Sequence, residues 1–197
     1  MTILQMMLAA TYNTEGTLCV IAHATHPYIT IYDTTTTPWT KLANPPTLPA
    51  TIAYCVAFNF DGTECVLSLG GAPQLIAYDT TAIPWTKLAD PSTIPTGAGN
   101  AATYNHDGTV CVIGHASSPY ITAYDTTTTP WTKLANPSTL PADTGHGAAY
   151  NHDGTVSVIG HAGSPWITIY DTTTTPWTKL ANPSTLPTGV GHGVAFN

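Results

Sequence analysis

Apolar and polar positions along the chain never recur at helical spacing; short apolar runs alternate with clusters of Gly, Pro, Asn, Asp and Thr, the punctuation expected between β-strands. The segment from residue 147 to residue 192 is representative. Gly147 to Tyr150 is small and apolar, and it ends in Asn151-His152-Asp153-Gly154, where Asp and Gly suit a tight hairpin with φ > 0. Val156 to His161 is almost continuously apolar, as befits a strand covered on both faces. Trp166 to Tyr170 alternates after a Gly-Ser-Pro loop, and Trp177 to Ala181 places Trp177 and Lys179 on one face with Thr178 and Leu180 on the other. Four strands are therefore predicted in this stretch.

The same pattern occurs four times. Trp39, Trp85, Trp131 and Trp177 stand 46 residues apart, as do Gly16, Gly62, Gly108 and Gly154, with no insertions. A fixed period of this size marks a solenoid or a propeller. The pattern predicts an all-β chain, a β-propeller of four-stranded antiparallel blades, with repeats at about 9–54, 55–100, 101–146 and 147–192 and an extra first strand at 193–197. Innermost strands crowd an axis, which explains their Gly and Ala. The outermost strand has an open edge, and a Lys there discourages edge-to-edge pairing. All four Lys, 41, 87, 133 and 179, fall at that position. The Pro-rich connection, Asn-Pro-Ser-Thr-Leu-Pro-Thr-Gly in its fourth copy, returns the chain from rim to axis.

Both ends of the array offer a first strand, Ala9 to Tyr12 and Gly193 to Phe196, and only one can fill each slot. The options are a four-bladed ring, a homodimer completing a larger ring of about eight blades, or a piece of a longer array. Closure within one chain is favoured, and an unclosed monomer, which exposes two blade faces, is the least expected.

The run Val56 through Phe58-Asn59-Phe60-Asp61-Gly62-Thr63 resembles the opening of WD-repeat and YVTN-type propeller blades, and Tyr-Asp at 32–33, 78–79, 124–125 and 170–171 is similar in position to the Trp-Asp pair of WD repeats. The resemblance covers nearly the whole chain. It departs from the family at Gly145-His146 and Gly191-His192, which abut the first strand more closely than the family's Gly-His pair. The resemblance implies a propeller and, by family habit, a binding platform, but no particular ligand.

Composition removes several partners. Charged residues are 8% of the chain, against about 25% in ordinary domains. With four Lys, no Arg and a net charge of -7, no basic patch for nucleic acid or an anionic membrane can form. No apolar run is long enough to span a bilayer, and MTILQMMLAA lacks the basic start of a classical signal peptide. The Thr-rich, Arg-free composition suits a phage tail or adhesion protein, in a virion or extracellular setting. Cys19, Cys65 and Cys111 share one repeat position and read as small buried apolar residues, with Cys55 in a different strand.

Candidate chemistry is sparse. Glu15, Asp61, Asp107 and Asp153 sit beside the hairpin Gly, and Asp33, Asp79, Asp125 and Asp171 end the third strand. These eight acids read as turn builders. Glu64, Asp90 and Asp143 fall at unrelated repeat positions, so no carboxylate pair is set for acid–base work. The histidines reduce to His23, His115 and His161 at one position, His106 and His152 at a second, His146 and His192 at a third, and His26 alone. No ligand spacing recurs, so no metal site and no cofactor is expected. Asn100, His146 and His192 are candidate channel residues, since identical positions converge on an axis. Tyr28, Tyr120 and Trp166, with Gln74 at the same position, follow the loop between second and third strands. They are expected to pack against the next blade; alternatively, together with His23, His115 and His161, they stack on and hydrogen-bond a sugar. The expected function is a non-catalytic binding or adhesion module with a loop-rich face for an unknown ligand, carbohydrate being the class considered. The alternatives are a structural spacer and a lactonase-like, metal-dependent propeller enzyme.

Overall fold

The computed structural model describes residues 9–196; residues 1–8 and Asn197 lie outside them. Each repeat forms one antiparallel sheet with its strands in sequence order. Blade 1 holds β1 (Ala10–Tyr12), β2 (Leu18–Ala22), β3 (Ile29–Asp33) and β4 (Thr40–Lys41). Blade 2 holds β5 (Ala53–Phe58), β6 (Glu64–Leu69), β7 (Leu75–Asp79) and β8 (Thr86–Lys87). Blade 3 holds β9 (Gly99–Tyr104), β10 (Val110–His115), β11 (Ile121–Asp125) and β12 (Thr132–Lys133), and blade 4 holds β13 (Gly145–Tyr150), β14 (Val156–His161), β15 (Ile167–Asp171) and β16 (Thr178–Lys179). The inner strands of blades 2 to 4 begin two residues earlier than the repeat boundaries drawn from sequence. No helix occurs among the described residues.

The turns follow from local chemistry. Gly16, Gly62, Gly108 and Gly154 take φ between +68° and +72°, which any side chain would resist. The Asn three residues earlier closes the same hairpin: Asn105 Oδ1 accepts the Val110 N–H at 2.9 Å while its Nδ2 donates to Thr109 Oγ1 at 3.1 Å, and Asn13, Asn59 and Asn151 repeat this. Asp33, Asp79, Asp125 and Asp171 each accept the backbone N–H and hydroxyl of the Thr two residues on, as do Asp61 and Asp153. Those bonds stabilise the charged form and hold all six carboxyls below their ordinary range. The turn-building role expected of eight acids is shown by these contacts for six of them.

The cores lie between blades. Val20, Ile29 and Ile31 of blade 1 meet Leu67, Tyr78 and Trp85 of blade 2. Val66, Leu75 and Ala77 of blade 2 meet Ile113, Tyr124 and Trp131 of blade 3, and Val112, Ile121 and Ala123 of blade 3 meet Ile159, Tyr170 and Trp177 of blade 4. Each repeat thus completes its burial only against its neighbour. Cys65 and Cys111 are free thiols in these cores, and Cys19 is a buried free thiol of blade 1.

The four blades form an open arc. Interfaces join only consecutive blades among the described residues, and the outer faces of blades 1 and 4 are uncovered: Trp39 is 47% exposed where Trp85 is 0%. Closure within a single chain, favoured at the sequence level, is therefore corrected. The physical reason lies in which faces are covered: the Trp39 side of blade 1 and the Ile167–Ile169 side of blade 4 do not meet, while the other blade faces are buried against the adjacent blade. The expected extra strand at 193–197 does not join a ladder either. Gly193–Phe196 lies against β13, with Gly193 Cα 3.0 Å from where a Cβ on Gly147 would sit, but it has no second strand to pair with.

Candidate functional site

The concave wall of the arc is built from β1, β5, β9 and β13, and it carries a recess at each end of these strands. Six residues at about 3.3 Å each make the wall roughly 20 Å long.

At the upstream end, the pairing of inner and second strands slips by one residue in three consecutive blades. Ala53 pairs with Leu69 and Cys55 with Ser68, Gly99 with His115 and Ala101 with Gly114, Gly145 with His161 and Gly147 with Gly160. The residues passed over are Tyr54, Asn100 and His146. A β-bulge re-aims its extra side chain, here toward the axis. These three, with Cys55, His192 and Val194, line a recess of about 200 Å³. The close approach behind it requires glycine: a Cβ on Gly145 would lie 2.6 Å from the Tyr120 carbonyl oxygen.

The rings of His146 and His192 are 5.1 Å apart between centroids. Asn100 Nδ2 donates to the Gly145 carbonyl at 3.3 Å, leaving its oxygen free. Burial pushes the His146 imidazole below its ordinary range and His192 adds to this, against a smaller opposing pull from Asp143. These effects favour the neutral imidazole, which donates from one nitrogen and accepts at the other. Phenol, amide and two imidazoles form the polar set, and no carboxylate or ammonium lines the recess.

At the downstream end a second recess, about 360 Å³, lies among Thr11, Ala57, Phe60, Thr103 and His106. Phe60 packs at a tilt of 51° against His106 with 4.3 Å between centroids, and His106 at 53° against His152 at 4.7 Å, a row of rings across three blades. Thr14 hydroxyl donates to the Phe60 carbonyl and ties blade 1 to it. The groove therefore has a hydrogen-bonding end and an aromatic end.

The structure brings Asn100, His146 and His192 together, as their common repeat position implies. Tyr54 is the fourth member that sequence reasoning missed; the signal is its 46-residue offset from Asn100, hidden because Tyr, Asn and His look unrelated. Other expected ligand residues are placed elsewhere. His115 and His161 are fully buried, with Nε2 2.9 Å from Thr122 Oγ1 and 3.0 Å from Thr168 Oγ1, and burial lowers both imidazoles. They brace second strand to third, out of a ligand's reach, which corrects their reading as sugar contacts; His23 makes the same bond to Thr30 at 3.0 Å and is half-buried. Tyr28, Tyr120 and Trp166 are half-buried, line neither recess and do not touch one another. Each takes a left-handed φ of 66°, 67° or 73° so that its N–H can reach the carbonyl three residues back, at 2.7 Å. That conformation costs about 1–3 kcal/mol in a non-glycine residue and ties this position to the turn. No three metal-ligating side chains converge among the described residues.

No protein-family model and no curated protein matches the sequence. Solved structures do match the fold. A functionally unknown protein from Desulfotomaculum acetoxidans superposes with a TM-score of 0.66 at 13% identity over 88% of this chain and 55% of its own. Candidate 6-phosphogluconolactonases from Bacteroides uniformis (TM-score 0.63, 13% identity, 86% of this chain and 55% of theirs) and Bacteroides fragilis (0.67, 14%, 94% and 56%) are similar to the same extent. The chain spans about half the length of each, and the likeness shows a shared propeller-type fold.

Proposed function

We propose that this chain is a non-catalytic binding module that takes a neutral, elongated, polyhydroxylated ligand, an oligosaccharide, along the axial groove. The observation that carries the reading is the alignment of Tyr54, Asn100, His146 and His192, three of them on β-bulges, along one wall without charge. Uncharged donors and acceptors match hydroxyl groups without the desolvation cost of an ion, and the exposed Phe60 ring at the other end offers a face for a pyranose. A groove about 20 Å long accommodates several sugar units. This moves the glycan reading from the Tyr28, Tyr120 and Trp166 loops to the axis.

A broad array of neutral glycans followed by titration calorimetry tests it. His146→Ala and Phe60→Ala are each expected to weaken binding at least fivefold, with Trp166→Ala unchanged. Absence of any binder, or affinity indifferent to both groove substitutions, refutes the proposal.

Hydrolysis of a sugar lactone is the second reading, favoured by the names of two structural neighbours and by a neutral imidazole in the groove. Its weakness is that a phosphorylated substrate calls for cations, and all four Lys lie on β4, β8, β12 and β16 at the rim. Lactone turnover abolished by His146→Ala would favour it over binding alone.

A further inference from the structure

The three interblade interfaces repeat one arrangement. In each, a Trp packs against an aromatic of its own inner strand and a Tyr of its third strand: Trp131 lies 5.9 Å from Tyr104 and 6.0 Å from Tyr124, and Trp85 and Trp177 have matching neighbours. The trio covers the preceding blade, and its third-strand Tyr hydroxyl donates to a Thr carbonyl in the preceding connection. Tyr78 reaches Thr47 at 2.9 Å, Tyr124 reaches Thr93 at 3.0 Å and Tyr170 reaches Thr139 at 2.9 Å.

Blade 1 carries the same trio, and no other blade among the described residues covers it. Tyr12 and Tyr32 stand 6.1 and 6.2 Å from Trp39, and Tyr12 is 50% exposed. Blade 4 carries a fourth copy of the receiving surface, also bare. Pro183 and Pro187 of its connection are exposed where Pro45, Pro91 and Pro137 are buried, and Ile167 and Ile169 are half-covered where Ile121 and Ala123 are buried. Thr185 stands where Thr47, Thr93 and Thr139 stand in the earlier repeats.

We propose that the occupant of both faces is a second copy of this chain, docked head to tail, with the Trp39 trio of each on blade 4 of the other and Tyr32 Oη donating to the Thr185 carbonyl. The contact is the continuation of an interface the chain already makes three times, so its shape and pairing are given. A head-to-tail contact closes when its rotation divides a full turn. Four blades here match 55–56% of each neighbouring solved chain, a little over half, so two copies supply slightly more than the length of one such chain, and the eight blades they make fall within the usual range of roughly 4–8. Gly193–Phe196 lines the slot that the partner's short β1 would enter, so one of these equivalent segments gives way on docking. The inference rests on the fold and not on the glycan reading; it turns the axial groove into a lumen, and its failure would leave the groove intact.

Light scattering and sedimentation equilibrium on the full chain test it. The expected mass is twice 20.7 kDa. Trp39→Lys and Ile169→Lys each remove one side of the contact; both residues are at least partly exposed in the single chain, so each variant is expected to keep its strand-type circular dichroism and to run as a monomer. An equimolar mixture of the two variants retains one intact interface and is expected to recover a dimer. Tyr32→Phe, the mildest change, removes one hydrogen bond at each of the two contacts, about fivefold apiece, and is expected to weaken dimerisation about 25-fold. A monomer at about 100 µM, a dimer indifferent to Trp39→Lys, or a mass that climbs with concentration as an open filament would overturn the proposal.

Discussion

Glu64 occupies the repeat position held by Leu18, Val110 and Val156, and its replacement offers a quantitative check on the interblade cores. It opens β6 directly across from Asp79, with Asp61 in the adjoining hairpin, and its Oε2 is buried without a partner. Burial first, and then repulsion from Asp61 and Asp79, raises its carboxyl from 4.5 to about 7. Between those values the folded chain holds a proton that the unfolded chain releases, so this residue's contribution to stability falls as pH rises through the window. The full linkage would be about 3 kcal/mol at pH 8; partial exposure and solvent screening reduce this to roughly 1–2 kcal/mol. Glu64→Gln is therefore expected to raise the melting temperature at pH 8 by roughly 3–6 °C for a chain of this size. Near pH 4, where the carboxyl is protonated in both states, the gap should vanish. Thermal unfolding of both proteins followed by circular dichroism from pH 4 to 8 measures this. A difference that stays constant with pH, or a variant less stable than the wild type at pH 8, would refute the reasoning.

The buried His–Thr pairs make the opposite pH dependence. His115 and His161 have imidazoles lowered by burial, so the stability they support is present above the ordinary value of 6.5 and is lost as pH falls through it. The double change His115→Leu with Thr122→Ile copies Leu69 and Ile76 of blade 2 and should flatten that loss in urea titrations, whereas His115→Leu alone strands the Thr122 hydroxyl and should cost about 1–3 kcal/mol. Gly145→Ala forces a Cβ to within 2.6 Å of the Tyr120 carbonyl; it should cost about 1–3 kcal/mol in the same assay and shift the His146 ring resonances, and unchanged resonances would detach the bulge from the site.

Strands, hairpins and blade order were legible because each depends on residues close in sequence. Apolar runs, Asp-Gly turns and the 46-residue echo of Trp39 are local signals, and each strand of the specimen repeat formed within about two residues of its expected bounds. The axial site was half legible. Asn100, His146 and His192 are linked by their 46-residue spacing; Tyr54 shares it, but a phenol gives no chemical cue that ties it to an amide and two imidazoles. His115 and His161 were misread because the same polar letter serves a buried brace and an exposed ligand contact; only the Thr seven residues on, across the second hairpin, distinguishes them.

By itself the sequence determined that the chain builds four copies of one sheet, since strand pairing within a blade is set by short loops and alternating burial. Tertiary structure alone decided how those sheets sit around the axis. How one blade meets the next is a sum of packing contacts between residues far apart in sequence. Those contacts leave the outer faces of blades 1 and 4 bare among the described residues, and the bulges in β5, β9 and β13 bring Tyr54, Asn100 and His146 onto one wall with His192.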